Sequence, residues 1–408
     1  MHAGSHVVAG VDTHKDTHFA AVITVTGQQV GAAEFPATES GYRALTEFIT
    51  CHGPLLRAGV EGTNAYGAGL SRHLREVGVP VVEVLRPARQ LRRMRGKSDQ
   101  IDAYAAAQIA LADVDTVTAK TSAGTVEAIR VTFAARRSAI KAHSEVITQI
   151  KSLLVTAPEP VRAEYRHLAT GRLISMLANS RPRVGDDEVA ARTRVALKRL
   201  ATRCRQLDAE IDSHDTDLHD LVSQVNPGIL QVHGIAATTA AQLLITAGDN
   251  PDRIGSEAAF AMLCGAAPIP ASSGKTSRHR LNRGGDRHAN SALHQIAKVR
   301  LGTDPDTRAY AARLTAAGKS KKDILRCLKR AIARQVFHLI TNPPVIEHSD
   351  DLRPARQALG LTLANVADAL GCSIMKISQL ERGTIRDVRF LRHYRAWLTA
   401  TPELQLAA

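Results

Sequence analysis

The sequence predicts an α/β domain at residues 1–118, followed by mainly helical domains. Within residues 1–118, short apolar runs alternate with stretches of helical spacing, the pattern of a sheet covered by helices. Two long segments of helical periodicity follow, and a segment with helix-turn-helix punctuation comes after a Pro-containing linker. At 408 residues the chain is long enough for two to four domains with sizeable cores.

Net charge indicates the kind of partner. The formal charge is +14 and the pI is about 9.9, so a polyanion, nucleic acid first, is the expected partner. The alternative is a basic protein without such a partner. Aromatic residues make up only 3% of the chain, so we expect aliphatic cores and no base-stacking platform.

Cysteine usage and hydropathy bear on the compartment. The five cysteines are isolated, with no CxxC pair, which favours a reducing compartment and argues against a zinc site. No apolar run reaches transmembrane length, and the first residues do not resemble a signal peptide. We therefore expect a cytoplasmic protein with no membrane partner.

Two predicted strands of the α/β domain end in a carboxylate. The apolar run Val7–Val11 predicts a buried strand that Asp12 closes, with Phe19–Val25 as its hairpin partner. After a predicted helix, Leu55–Val60 predicts a second strand, which ends in Glu61. A lone acid at a strand end occurs in metal-dependent nucleases and in sugar kinases alike, so Asp12 alone does not decide the function.

Two further carboxylates lie at the start of an Ala-rich helix. Ser98 is the expected N-cap, which places Asp99 and Asp102 three residues apart on one helix face. Two such carboxylates repel each other unless a cation lies between them, and oxygen ligands suit Mg²⁺. The alternative is that both acids only complement the helix dipole. Four basic residues before the pair are expected to contact DNA: Arg92, Arg93, Arg95 and Lys97.

Together, two strand-end acids and an acidic helix pair form the pattern of a two-metal phosphoryl-transfer site. The motifs GVDTHKD, GVEGT and GKSDQIDA carry these acids. They resemble the RuvC-like (RNase H-like) domain of the DEDD transposases of bacterial insertion sequences, the Piv/MooV-like family numbered one hundred and ten. The resemblance implies that four catalytic residues hold Mg²⁺ or Mn²⁺: Asp12, Glu61, Asp99 and Asp102.

Residues 119–225 are expected to form a helical or coiled-coil arm. The segments 125–156 and 187–225 have the apolar spacing of two long helices, separated by Pro- and Gly-containing sequence. Their length and charge density favour an exposed antiparallel arm or an oligomer contact, and ordinary domain core is the alternative. We expect a homo-oligomer, either a dimer or a tetramer.

Residues 226–341 form the next expected domain, which is mainly helical. It opens with a helical hairpin signal, but Ala236 stands where phosphate-binding hairpins usually have a second glycine. Packing is therefore the expected role of this hairpin. Near the end of the domain, residues 319–334 predict an amphipathic helix with a Lys/Arg face, either solvated or in contact with nucleic acid.

Between these helices lies a Ser-Ser-Gly-Lys loop. By composition alone it is a flexible turn, but the arginines after it can hold a phosphate backbone. The transposase family named above has a Ser-Gly motif before a Gly-Asp/Asn-Arg turn, where a serine is implied as the nucleophile that joins DNA covalently. On that resemblance Ser273 is the expected nucleophile and Ser272 the alternative. The expected DNA contacts are Lys275, Arg278, Arg280, Arg283 and Arg287.

The last segment, residues 350–408, predicts a small all-helical DNA-binding domain. Its sequence resembles the lambda-repressor/Cro-like (XRE) helix-turn-helix over residues 352–398, with Leu363 where many relatives have Gln. Thr362 is expected to cap the second helix, and a recognition helix begins after Ser373. Transposases of this family usually end without such a domain. The expected DNA contacts are Ser373, Met375, Lys376 and Gln379.

These observations predict a DNA transposase or recombinase that acts on element ends and target DNA. The family further implies a structured guide RNA, for which the residues show only charge. Three other functions stay open: a RuvC-type junction nuclease that acts by hydrolysis, a sugar-kinase-like ATPase, and a non-catalytic regulator derived from a transposase. A serine is a poor nucleophile without help, so the acids and the serine loop are expected to act at one phosphate.

Overall fold

A six-stranded mixed sheet organises the amino-terminal unit. Its strands lie in the order β3-β2-β1-β4-β5-β6. Strands β1, β2 and β3 are antiparallel neighbours, β1, β4 and β5 are parallel, and β6 is antiparallel to β5. The predicted α/β class is therefore confirmed. The strands span Val7–Thr13, Thr17–Thr24, Gln29–Pro36, Leu55–Glu61, Val81–Val84 and Val117–Thr118.

The structure is a computed structural model. It describes residues 6–84, 98–112, 117–274, 279–343, 348–385 and 387–406. The chain divides into two units. The first contains residues 1–127 and 247–260, and the second contains residues 128–246 and 261–408.

Strand β3 is an element that the sequence did not predict. It pairs with β2 at the edge of the sheet, and its residues are exposed or half-buried. Strand β3 pairs with a neighbour along one edge only, and its side chains remain at least partly in contact with water. Gln29–Pro36 therefore needs no continuous apolar run. The criterion that found the buried strands therefore does not detect it.

Helices cover both faces of the sheet. Helices α1 (Glu39–Thr50) and α2 (Ala68–Glu76) pack on one face, where their leucines and Ile49 join the core with Val11 and Val60. Helix α3 (Asp99–Ala112) packs on the other face against Val8 and Ile23.

Residues 247–260 belong to the amino-terminal unit although they follow the arm in sequence. The Asn250 side chain donates to the Ala119 carbonyl at 3.1 Å and accepts from the Thr121 amide at 3.2 Å. Asp249 accepts a 2.8 Å hydrogen bond from the Val126 amide. These hydrogen bonds between side chains and backbone attach residues 247–260 to the first unit. The sequence analysis did not predict them.

Two long antiparallel helices lie in the segment expected to form the arm, which is called the arm from here on. Helix α4 spans Thr125–Val155 and helix α7 spans Glu188–Val225. Two short helices that the sequence did not predict, α5 (Glu159–Tyr165) and α6 (Thr170–Ala178), connect them. All four helices contribute to one apolar core, so this end of the arm is packed as a small domain.

The remainder of the second unit is mainly helical, as predicted. One short hairpin, β7 (Pro268–Pro270) with β8 (His279–Leu281), interrupts the helices. Helices α8, α10, α11 and α12 span Ala237–Ala247, Arg287–Thr303, Pro305–Ala316 and Lys321–Thr341, with a 3-10 turn at Pro227–Gln231. The 3-10 turn Pro251–Arg253 and the start of helix α9 (Glu257–Leu263) belong to the first unit.

The carboxyl-terminal helices have a core of their own. Leu352, Ile377 and Tyr394 are buried in it together with other apolar side chains of the same segment. Thr362 and Ser373 cap their helices as expected. Across the described ranges, no helix has the length and apolarity needed to cross a membrane. Helices α13 to α16 span Leu352–Ala358, Leu363–Ala369, Ile374–Glu381 and Val388–Leu406.

Candidate functional site

The carboxyl ends of β1 and β4 bring two predicted acids together. These strands are parallel neighbours with Val11 opposite Val60, so Asp12 and Glu61 follow side by side. Alternation along the strands turns both acids away from the core under α1 and α2, toward the face that α3 covers. Asp12 is 6% exposed and Glu61 is 9% exposed.

Helix α3 brings the other two acids to the same edge of the sheet. Its sheet-facing side is a stripe of alanines that includes Ala103 and Ala106. Asp99 lies one turn before Ala103 and Asp102 one turn before Ala106, so both acids extend that side at the amino end of the helix. Ser98 caps the helix as predicted, since its Oγ accepts from the Ile101 amide at 3.2 Å.

Gly10 allows α3 to lie this close to the strands. A Cβ atom on Gly10 would lie 2.1 Å from the backbone of Ala103 and of Ala107. On the neighbouring strand, a Cβ on Gly59 would lie 2.7 Å from the Ala106 carbonyl oxygen. Because Gly10 and Gly59 have no Cβ atom, α3 can lie close to the sheet, and this distance also fixes the position of Asp99 and Asp102.

His14 is a site residue that the sequence analysis missed. Its Nε2 lies 3.3 Å from Asp12 Oδ2 and 3.3 Å from Asp99 Oδ1. One ligand atom from each of the three residues lies within 4.8 Å of the others. The available signal was spacing, because His14 follows Asp12 by two residues and so lies on the same face of the extended chain.

The environment of Asp12 favours a bound cation. Burial raises the pKa of the Asp12 carboxyl; His14 acts against this, and Glu61, Asp102 and Asp99 each add to the rise. A cation among these oxygen ligands would relieve both the desolvation and the repulsion. The donor set therefore fits a divalent metal ion with hard ligands.

The predicted nucleophile lies at the tip of the β7–β8 hairpin. Ser272 and Ser273 are both exposed, and Gly274 has a positive φ of 53°. The structure therefore gives neither serine a buried pocket. Arg280, Arg283 and Arg287 are exposed on the side of the hairpin that leads into α10. The other predicted basic contacts lie outside the described residues: Arg92, Arg93, Arg95, Lys97, Lys275 and Arg278.

The base of this hairpin is held by side-chain bonds to backbone. Asn290 donates to the carbonyls of Cys264 and Gly265 at 3.0 and 2.8 Å. Asp286 caps α10 by accepting from the His288 amide at 2.8 Å, and it also accepts from the Thr246 hydroxyl at 2.7 Å. The Gly-Asp-Arg turn is therefore a fixed support.

A basic groove of about 660 Å³ lies between this hairpin and α12. Within the part of the chain that the structure describes, its one acidic lining residue is Asp323, which pairs with Arg326 at 2.8 Å. Burial, and then the charge of Arg326, lower the pKa of Lys329, whose Nζ donates to Asn290 at 2.9 Å. The Lys and Arg residues that line the groove are Arg280, Lys319, Arg326, Lys329, Arg330 and Arg334.

In the carboxyl-terminal domain, α15 exposes part of the predicted contact surface. Met375 is 68% exposed, and Ser373 Oγ accepts from the Lys376 amide at 3.2 Å. The Lys376 ammonium lies 3.0 Å from Asp387 and 3.9 Å from the centre of the Phe390 ring. Lys376 must therefore leave or share these partners to reach a phosphate. Gln379 is half-buried.

The fold and the acidic edge define a class of protein. A mixed α/β domain with carboxylates gathered at the ends of adjacent parallel strands, followed by a helical region, is consistent with the RuvC-like class. Residues 9–157 match a family model described as a transposase of the DEDD, IS110 type. Residues 227–312 match a model described as the transposase IS116/IS110/IS902 family. Over these two segments the chain is therefore similar to transposases of the IS110 type.

One relative from Streptomyces coelicolor supports this assignment. It is described as the insertion element IS110 uncharacterized 43.6 kDa protein, and it is 33% identical to this chain over 138 residues. The match covers 33% of this chain and 32% of the relative, so the chain is aligned with about a third of that protein's length.

Proposed function

We propose that the chain is a DNA transposase that breaks and rejoins strands with a carboxylate-held metal site and a serine nucleophile. The observation that carries the proposal is the group of ligand atoms from Asp12, His14 and Asp99 at one edge of the sheet, with Glu61 and Asp102 close enough to act on the Asp12 charge. Such a site is needed for phosphoryl transfer and has no evident structural purpose, because it places like charges together.

The four acids would hold Mg²⁺ or Mn²⁺. Asp12 and Glu61 are fixed by the sheet, and Thr13 strengthens that edge by donating to the Glu61 carbonyl at 2.8 Å. Asp99 and Asp102 are fixed by the helix. When bound, the metal would supply charge neutralisation at the phosphate and at the leaving oxygen. The rigid backbone that carries each acid would preserve the geometry through the reaction.

Ser273 would serve as the nucleophile. Its Oγ would form a bond to the DNA phosphorus as the bond from phosphorus to the sugar oxygen breaks, and the hydroxyl proton would pass to solvent while the sugar oxygen gains one. The phosphodiester energy would then be kept in a protein–DNA link for rejoining. The exposed position of Ser273 suits attack on a large substrate.

The groove beside the serine hairpin would hold nucleic acid. Its Lys and Arg side chains outnumber its one described acid, and it is open on a surface adjacent to β8. Lys and Arg contacts to phosphate position a strand without reading its sequence. We extend the proposal to element-end DNA, target DNA and a structured guide RNA as partners, and to a homo-oligomer as the working form.

A hydrolytic junction nuclease is the second candidate. The acid cluster alone is enough for metal-assisted hydrolysis, and that function leaves the exposed serines without a role. A non-catalytic regulator is a third candidate, favoured by the separate core of the carboxyl-terminal domain.

The experiment that separates these candidates is trapping of a denaturation-resistant protein–DNA species. We expect an adduct with the wild type and none with Ser273→Ala, whose DNA and metal binding should be unchanged. Ser272→Ala is the matched control and should keep the adduct. Loss of the adduct in Ser272→Ala alone would move the assignment by one residue. Cleavage without any adduct would support hydrolysis, and neither adduct nor cleavage would support the regulator.

A further inference from the structure

A second group of possible metal ligands lies on the arm, within the second unit of the chain. His143 on α4 faces Cys204 and Asp208, which lie one turn apart on α7. One ligand atom from each residue lies within 4.8 Å of the other two. The His143 Nε2 to Asp208 Oδ1 distance is 2.9 Å.

The antiparallel pairing of the two helices fixes this group. One heptad before His143, Arg136 of α4 pairs with Asp215 of α7 at 2.5 and 3.0 Å. His143 follows Arg136 by one heptad on α4, and Asp208 precedes Asp215 by one heptad on α7, as antiparallel helices in a single register require. The His143 cluster is therefore part of the regular interface between the helices.

The three side chains differ in exposure, which increases from Cys204 to His143 to Asp208. Cys204 is completely buried in the arm core, whereas the side chains of His143 and Asp208 are 22% and 54% exposed. Zinc bonds to sulfur, nitrogen and oxygen of about 2.0–2.3 Å place ligand atoms roughly 3–4 Å apart. The ligand atoms, all within 4.8 Å of one another, lie near that range, and the partial exposure of His143 and Asp208 gives water access to this side of the group.

We propose that His143, Cys204 and Asp208 bind Zn²⁺, with water as the fourth ligand. Thiolate, imidazole and carboxylate together suit a borderline-soft transition metal and do not suit Mg²⁺. The Cys204 thiol would lose its proton to solvent as the bond from sulfur to zinc forms. The bound ion would join α4 to α7 and hold their register.

This site would be distinct from the acidic site in its chemistry. The sheet-edge group offers carboxylates and an imidazole, with no sulfur. The sequence argued against zinc because no two cysteines are close together. The fold instead assembles a mixed ligand set from two helices, and only one of the ligands is a cysteine.

Cobalt titration of the full-length, chelator-treated protein tests the proposal. Co²⁺ is the probe because a bond from thiolate to cobalt gives a charge-transfer absorption that oxygen and nitrogen ligands do not. We expect the band to saturate at one equivalent per chain and to be displaced by Zn²⁺. Cys204→Ser should remove the band, whereas Cys264→Ser, at the chain's other fully buried described cysteine, should keep it.

Two further variants keep the test decisive if Cys204→Ser does not fold. His143→Gln and Asp208→Asn alter partly exposed side chains, and each should weaken Co²⁺ binding by about tenfold or more. Zn²⁺ should also raise the Tm of the wild type more than that of Asp208→Asn. Absence of the band in the wild type, or Co²⁺ affinities unchanged in both variants, would overturn the proposal.

Discussion

At the scale of single residues, Asp12 is held in an environment that disfavours its own charge. It is nearly buried, and the charges of Glu61, Asp102 and Asp99 act against its ionisation, whereas His14 is the group among the described residues that acts in its favour. Carboxyl groups whose ionisation is opposed by burial and by like charges are concentrated at functional sites. Stability and activity should therefore respond in opposite directions when its charge is removed.

We predict that Asp12→Asn raises the Tm of the metal-free protein and abolishes strand cleavage. The amide removes a desolvated charge and the repulsion from its neighbours, but it cannot replace a carboxylate as metal ligand. Mg²⁺ should stabilise the wild type and not the variant, which thermal unfolding with and without Mg²⁺ measures. Asp16→Asn, at an exposed acid just after the strand, is the control. Cleavage at wild-type rate in Asp12→Asn would contradict the metal-site assignment.

At the scale of elements, the distance between α3 and the sheet depends on Gly10. A side chain there meets backbone atoms of the helix, which cannot rotate away. The whole helix must shift, and its two acids must shift with it. The position of Asp99 and Asp102 is therefore controlled by a residue that touches neither.

We predict that Gly10→Ala destabilises the protein by about 1–3 kcal/mol and sharply reduces cleavage. The overpacking displaces α3 from β1, and denaturant unfolding measures the cost. Gly171→Ala, on an open surface of helix α6, is the matched control. It should be neutral or slightly stabilising, because alanine favours helix. Equal effects at the two glycines would show that the close approach of α3 is unimportant.

The carboxyl-terminal domain contains a buried ion pair that joins three of its helices. Arg356 donates to both carboxylate oxygens of Glu381 at 2.6 and 3.0 Å, and the Tyr394 hydroxyl donates to Glu381 at 2.8 Å. Burial opposes ionisation of Glu381, but the hydrogen bonds from Arg356 and Tyr394 outweigh it and lower its pKa. The lowered pKa means that the folded domain favours the ionised form of Glu381.

We predict that Glu381→Gln costs this domain about 3–5 kcal/mol, because Arg356 is left buried without its counter-charge. With the folded pKa below the unfolded one, the contribution of Glu381 is present above about pH 4.5 and is lost as pH falls through the folded pKa. Denaturant unfolding over this pH range measures both effects. Asp351→Asn breaks the more exposed pair with Arg395 and should cost at most about 1 kcal/mol. Equal costs at the two pairs would contradict this ranking.

Helix α15, the expected recognition helix, leads to a separate prediction. Since residues 348–406 have their own core, we expect the isolated segment to fold and to bind duplex DNA weakly, with affinity falling as salt rises. Met375→Ala and Gln379→Ala should weaken binding without unfolding the domain. Lys376→Ala should also lower stability, because it removes the contacts to Asp387 and Phe390. No DNA affinity at low salt would instead indicate a protein-contact domain.

At the scale of the whole molecule, the net charge of +14 predicts strongly salt-dependent binding of nucleic acid. We predict that Lys319→Gln, Arg330→Gln and Arg334→Gln together reduce the slope of log affinity against log salt by about 2–3, because each phosphate that is no longer neutralised lowers it by about 0.9. Measuring DNA affinity over a salt series tests this. An equal removal of charge from the arm, as Arg192→Gln, Arg199→Gln and Arg203→Gln, is the control and should change the slope less.

Local sequence patterns were enough to identify many of the segments that build this protein. Mostly apolar runs predict β1, β2 and β4, because the central residues of these strands are buried on both faces of the sheet. The acids at the ends of β1 and β4 could be predicted because each directly follows such a run. The Ser98 cap could be predicted because it directly precedes a helical segment. The caps at Thr362 and Ser373 were also predicted, because capping depends on a residue and its own next turn.

Features that depend on partners far away in sequence could be recognised only in the folded chain. The edge strand β3 has no signature of its own, and residues 247–260 join the first unit through hydrogen bonds to residues 119–126. His14 becomes a site residue because α3 brings Asp99 within 3.3 Å of it. Cys204 gains two possible co-ligands because the arm folds back antiparallel. Local patterns encode local geometry, whereas these arrangements arise from packing between segments.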